Sequence, residues 1–244
     1  MELQEPYRIA YRFSLPDGSR KEFDLELDPR TIVLRTGDST SLPAWTLLEH
    51  EQCTCCPLDS SRSPHCPIAV NLVRLIHDFK GFLSSDRVSV TCTTPERTYL
   101  KETFLQNGLH SIFGLIMATS ACPVMDFFRP MARFHLPFST LEESLVRTVS
   151  FYLLGEHFRH RRNLDPDWEL KGLDERYRRV KEVNDGFLRR VHTVNELDAD
   201  TNALLLLHSL TELLSGEMNS DLGSIRYLFV RDDSPGDEGR ERVK

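Results

Sequence analysis

The sequence predicts an α+β fold, with an N-terminal antiparallel sheet packed on helices and then a C-terminal helical hairpin. Three observations carry this reading. Tyr7, Ile9, Tyr11 and Phe13 recur at every second position, and so do Phe23, Leu25 and Leu27, which is the period of strands with one buried face. Leu105–Thr119 is apolar on most faces, as a buried helix is. Further on, Leu170, Leu173, Tyr177, Val180, Asn184, Phe187, Val191 and Val194 step alternately by three and four, the spacing of a heptad seam.

Each element has its own signal. Leu15-Pro-Asp-Gly-Ser19 joins the first two strands; Pro and Gly preset the backbone angles a turn needs, so the pair reads as a hairpin. Thr31–Leu34 and Ala44–Leu48 are expected as short further strands, separated by the polar stretch Arg35–Ser41. Pro67 suits a first helical residue, because it has no amide hydrogen to lose there. Ile68, Leu72, Leu75, Ile76 and Phe79 then recur at helical spacing. Arg87–Thr93 and Arg97–Phe104 read as two strands joined through Thr94-Pro-Glu96. Pro123, Pro130 and Pro137 make 122–138 irregular, with a short helical turn.

Ser139-Thr-Leu-Glu142 reads as a capping box opening a helix that runs to about His160. Asp165-Pro-Asp-Trp168 is expected to start the next helix, with Asp as cap and Pro in the first turn. Ala203–Leu214 supplies an apolar partner helix after a break near Asp198–Asp200. The expected division is 1–162 as an α+β domain carrying the cysteine motifs, 163–230 as a helical hairpin or coiled-coil appendage, and 231–244 as a disordered tail. For the heptad helix, pairing with 203–214 in the same chain is the preferred reading. The sharper one is a homodimer through 170–194, in which Asn184 meets its own counterpart and fixes the register.

Composition narrows the function classes. The 244 residues carry a net charge of −7, which disfavours nonspecific attraction to nucleic acid. His157–Arg162 is basic at a helix end, where cations complement the dipole. Basic residues from Lys171 to Arg190 alternate with acids and read as a solvated, salt-bridged surface. No apolar run approaches the roughly 18 residues of a membrane span, and the start of the chain has no basic-then-apolar leader. A cytoplasmic protein is therefore expected, with no membrane partner. Nucleotide-binding glycine loops and the His-Glu-x-x-His pattern are absent from the sequence.

The chemistry concentrates in cysteines. Four of the six lie between residues 53 and 66, and a chain of cytoplasmic type has little reason to cluster thiols for disulfides. Cys53-x-x-Cys56 can aim two thiolates at one ion, with Pro57 stiffening the turn and Cys66 as a third ligand. The fourth must come from elsewhere: Cys122, His50, His65 or His135, with Cys122 preferred because Cys122-Pro123 opens a segment able to reach across the fold. Zinc leads, and an iron–sulfur cluster is the alternative metal reading. A Cys53–Cys56 dithiol is a third reading, and small buried hydrophobes a fourth. Cys55 is spare, and Cys92, inside a strand, reads as core. Arg129, Arg133 and His135 lie between prolines just after Cys122; a Cys–His pair there would form a nucleophile and base if the two met in space.

The ordered set Cys53-x-x-Cys-Pro-Leu58, His65-Cys-Pro-Ile-Ala-Val-Asn-Leu72, Thr94-Pro-Glu-Arg97, Met117-Ala-Thr-Ser-Ala-Cys-Pro123 and Pro130-Met-Ala-Arg-Phe-His-Leu-Pro137 resembles a bacterial domain family of unknown function, across roughly Tyr7 to Phe158. The resemblance implies that Cys53, Cys56, Cys66, Cys122 and His135 are signature positions. It also implies a Gly where Ala121 stands, and a helical part after Leu164 outside the motif set. The leading expectation is a metal-binding regulatory or interaction protein with an unidentified protein partner and a structural, zinc-like site on Cys53, Cys56, Cys66 and Cys122. The alternatives are an enzyme with a pocket around Cys122, Arg133 and His135, and a metal-free dimerisation or docking module.

Overall fold

The computed structural model describes residues 5–36, 41–194 and 198–230; the tail expected to be disordered, 231–244, lies outside them. Strands β1 (Tyr7–Ser14), β2 (Arg20–Leu27), β3 (Arg87–Thr93) and β4 (Thr98–Phe104) form one antiparallel sheet in the order β2-β1-β3-β4. The predicted hairpin turn is present, with Gly18 at φ +82° and the Leu15 amide donating to the Ser19 carbonyl. One face buries Ile9, Tyr11, Phe13, Phe23, Leu25, Leu27, Val88, Val90 and Cys92. On the other face Arg12 pairs with Glu22 and Asp24 across the β1–β2 ladder.

Helices α1 (Pro67–Asp78) and α2 (Leu105–Thr119) contribute to the same core as the buried face of the sheet. Phe79, just past α1, meets Phe13 and Phe23 with ring centroids 5.0 and 5.9 Å apart, within the range of favourable aromatic pairs. Gly108 lets α2 approach the sheet closely: a Cβ there would stand 2.8 Å from Phe13 and 2.9 Å from Val90.

Two expected strands do not form. Leu34 makes a single bridge to Leu27. Ahead of it the Asp28 carboxylate accepts the amides of Arg30 and Thr31, so a side chain takes donors that a strand ladder would need. Ala44–Thr46 is one 3-10 turn after Pro43. The Trp45 carbonyl, with those of Leu47 and Leu48 after it, is taken by a side chain of the helical part of the chain instead of by a neighbouring strand.

The segment after α2 is irregular as expected, with a short helix α3 (Arg129–Arg133). The capping box of α4 (Leu141–His160) is displaced by one residue from the expected position. Thr140 is the cap, its hydroxyl accepting from the Glu143 amide and its own amide donating to the Glu143 carboxylate. Ser139 instead shares a hydrogen bond with the Ser144 hydroxyl. Helix α5 (Lys171–His192) also starts later than Asp165. Asp167 is engaged across the structure, accepting from the Tyr152 hydroxyl at 2.8 Å and the Gly172 amide at 2.6 Å.

α5 packs on α6 (Asp198–Asn219), giving the expected hairpin. The heptad seam closes within the chain: Asn184 is 3 % exposed, and its amide donates to the Thr211 hydroxyl of α6. α6 in turn packs on α2. Val180, Val183, Phe187, Val191, Ala203 and Leu204 therefore share one hydrophobic core with the sheet, α1 and α2. A smaller cluster, including Leu145, Tyr152, Leu173, Tyr177 and Leu214, ties α4 to the hairpin. Among the described residues no helix is long and apolar enough to cross a membrane.

Asp200, in the first turn of α6, is fully buried, and neither carboxylate oxygen has a hydrogen-bond partner among the described residues. Burial raises its pKa to about 8. The unfolded carboxyl ionises near pH 4, so between about pH 4 and 8 the native state holds the extra proton and stability falls as pH rises. Asp200→Asn should flatten this part of the stability curve and be the more stable protein at pH 8. Urea unfolding of both proteins at pH 5, 6.5 and 8 measures this; parallel curves would refute the assignment.

Candidate functional site

The loop leading into α1 is held against α5 from several sides. Arg190, only 2 % exposed, donates from Nη1 to the carbonyls of Trp45 and Leu47 at 2.5 and 2.6 Å, and from Nη2 to Leu48 at 3.2 Å. Around it, Arg189 pairs with Glu51, His50 bonds Thr193, and the Cys55 thiol points to the Arg179 carbonyl at 3.4 Å. Cys53 lies directly on the helix backbone. A Cβ on Gly186 would stand 2.9 Å from its sulfur and 3.1 Å from its Cα.

This arrangement gathers the predicted thiols. Cys53 and Cys56 share a turn closed by the Cys56 amide and the Cys53 carbonyl, and Cys66 sits at the N-terminus of α1 with its amide on the Thr46 carbonyl. Burial, and then the neighbouring thiols Cys66, Cys55, Cys56 and Cys122, push the Cys53 thiol up to about 12. Cys122 is pushed up to about 11, first by burial and, more weakly, by Cys66 and Cys56; the amides of Val124 and Met125 aimed at its sulfur act in the opposite direction. Cys122 thus comes from beyond α2 into the group that Cys53, Cys56 and Cys66 form. As the side chains stand, no three or more Cys, His, Asp or Glu among the described residues form a group that could hold a metal ion.

The alternative fourth ligands are engaged elsewhere: His65 with the Thr46 hydroxyl at 2.8 Å, His50 with Thr193, and His135 with the Tyr11 hydroxyl at 2.5 Å. Cys92 is buried in β3, as expected of a core cysteine. Arg190 was not legible as a site residue and does not belong to the solvated basic surface. Its spacing from Val183, Phe187 and Val194 nevertheless places it on the inward stripe of α5. Burial disfavours its charge, while Cys66, Cys53, Cys56 and, last, Glu51 support it. Among the described residues no carboxylate forms an ion pair with it; Glu51 is bound to Arg189.

Arg133 and His135 wall a separate cleft with Tyr7, Glu96, Arg97 and Arg147. Cys122 does not line it, so the expected grouping of Cys122 with Arg133 and His135 does not form. Arg133 stacks on the Tyr7 ring at 3.8 Å and pairs with Glu96 at 3.3 Å. Burial, and secondarily Arg147, hold His135 down to about 3, so its ring is neutral at pH 7. Beside this cleft lies a second cavity, between α2, α4, α5 and α6, with a volume of about 160 Å³. His135, Leu136 and Arg147 line both spaces.

The molecule is thus an α+β protein with a partly buried thiol group against α5 and a separate cavity between its helices. The chain belongs to a family described as a domain of unknown function (DUF6901), whose model matches residues 9–230. No curated protein and no solved structure matches it. The family match continues well past Phe158, where the recognisable motifs stop, and takes in α5 and α6.

Ala121 has φ +67°, a left-handed conformation that disfavours a side chain and favours Gly. This accounts for the Gly implied by the resemblance. Ala121→Gly should raise stability by about 0.5–1 kcal/mol after the loss to unfolded-state entropy. Gly186→Ala should act in the opposite sense. It gains about 1 kcal/mol of helix propensity, but the overlap with the Cys53 backbone outweighs this and leaves a net loss of about 1–2 kcal/mol. Urea denaturation reads both, and a stabilised Gly186→Ala would contradict the close packing.

Proposed function

We propose that Cys53, Cys56, Cys66 and Cys122 hold a metal in a closed, structural thiolate centre, and that the protein is a metal-stabilised regulatory or interaction protein. One observation carries this reading: four thiols from three parts of the chain are electrostatic neighbours beside a buried guanidinium that has no carboxylate partner among the described residues. A cation held away from water calls for an anion. Neutral thiols do not supply one, whereas a divalent ion on four thiolates carries net negative charge.

The donor set fits the group. Sulfur ligands select zinc or iron–sulfur clusters over hard cations. Amides donating to a thiolate, as those of Val124 and Met125 would to Cys122, are outer partners of the kind that orient metal ligands. Loading must displace protons from thiols that burial keeps protonated, so it is coupled to pH. It also requires the sulfurs to turn toward one point from where they now stand. Zinc is the leading ion, with an iron–sulfur cluster as the alternative. Such a centre would fasten the 41–66 loop, the start of α1 and the segment after α2 to one another. For the interaction role, Leu154 and Phe158, one helical turn apart on α4, and Leu164 and Trp168 beyond it leave apolar surface exposed.

Elemental analysis of protein purified anaerobically without added metal tests the centre, with Cys56→Ser and Cys122→Ser alongside. The expected result is about one zinc per chain in the wild type, lost in both variants. Iron with acid-labile sulfide and visible absorption would assign the cluster instead. A metal-free wild type overturns the reading, and full metal retention by Cys122→Ser would place the fourth ligand elsewhere.

A further inference from the structure

We propose that the cavity between α2, α4, α5 and α6 binds a small molecule with an apolar body and a carboxylate, the acid being held by Arg147. Leu115, Met125, Phe128, Met131, Leu207 and Leu210 contribute an apolar wall. Its volume of about 160 Å³ is close to the roughly 150 Å³ of an apolar cavity that takes up benzene. Polar groups are few and specific in position, as in sites that orient an apolar ligand.

Arg147 has the character of an unfilled anion contact. Its Nη2 donates to the carbonyls of Met131 at 3.1 Å and Phe134 at 2.7 Å. Nη1 and Nε have no partner among the described residues, and no carboxylate forms an ion pair with it. Glu143, the nearest acid in its electrostatic surroundings, is committed to the capping box. Arg147 lines the cavity and the outer cleft together. In that cleft Arg97 also has no side-chain partner among the described residues, and Glu96 is the only acid, already taken by Arg133 and Tyr7. The mouth is therefore cationic and the interior apolar.

His110 adds an independent sign. It lines the cavity from α2, half-buried, and its ring has no hydrogen-bond partner among the described residues. A ligand oxygen in the cavity would give that ring a partner. A carboxylate suits a guanidinium fork better than a point charge would, because two parallel N–H donors match its two oxygens. The cavity is distinct from the thiol group, so this proposal does not depend on the metal reading.

Calorimetric titration of the full chain with decanoate, decanol and inorganic phosphate tests it. Decanoate should bind one per chain, and decanol, with the same body and no acid, at least tenfold more weakly. Arg147→Met should weaken decanoate about tenfold and leave decanol unchanged. Leu210→Trp, which fills the cavity, should abolish binding of both. If Arg147→Met fails to fold, Leu210→Trp and the decanoate–decanol comparison still decide. Absence of decanoate binding at millimolar concentration overturns the proposal. So does equal binding of decanol, which removes the arginine from the argument. Displacement of decanoate by inorganic phosphate would reduce the site to the outer cleft and also overturns it.

Discussion

The helical half of the molecule is tied to the cysteine loop by one buried cation. Arg190 spends its guanidinium on three successive stretches of carbonyl, at Trp45, Leu47 and Leu48, in a part of the chain that makes no sheet of its own. The Leu47 carbonyl also accepts from the His50 amide, but those of Trp45 and Leu48 have no other donor among the described residues, and buried carbonyls are rarely left unpaired. With them satisfied, the loop can run across α5 in an irregular path and present its thiols inward. The glycine at 186 provides the room, and the arginine four residues later provides the hold.

The two sites share a scaffold but not a chemistry. α2 lends one end to the thiol group, through the turn that delivers Cys122, and its middle to the cavity, through His110 and Leu115. α5 does the same, with Gly186 and Arg190 facing the loop and Tyr177, Val180 and Asn184 facing the cavity. The buried face of the sheet supplies a rigid base for both. Its centre joins the second site through Tyr11, whose hydroxyl meets His135 at the boundary of cleft and cavity. A change in either site would thus be felt through the same two helices.

Much of this was readable from residue order, for physical reasons specific to each element. β1, β2, β3 and α2 were legible because a half-buried strand and a fully buried helix leave opposite signatures, alternation and continuous apolarity. Other features depended on partners far along the chain. Ala44–Leu48 looked like a strand because it is a short apolar run, yet its carbonyls answer to an arginine more than a hundred residues later. Asp165-Pro-Asp-Trp168 looked like a helix start because Asp165 before a proline is a good cap, but α5 begins at Lys171 and it is Asp167 that takes an amide of its first turn, along with the Tyr152 hydroxyl. Arg147 and His110 carried no signal, since a single polar residue on an apolar helix looks the same whether it lines a cavity or the surface.

The order in which the loop and α5 occur in the chain has a consequence for synthesis. Ribosomes deliver the thiols of 53–66 and the carbonyls of Trp45–Leu48 early, and Gly186 and Arg190 only near the end. Through most of translation the loop has no helix to rest on, and its cysteines remain open to solvent, oxidants and stray metal. Domains usually consolidate from the N-terminus as they emerge; here the sheet can do so, while the loop beside it must wait for the last quarter of the chain. A nascent chain stalled before α5 would carry a finished sheet and an unprotected set of thiols, which makes this loop the segment most in need of a chaperone or a reducing environment.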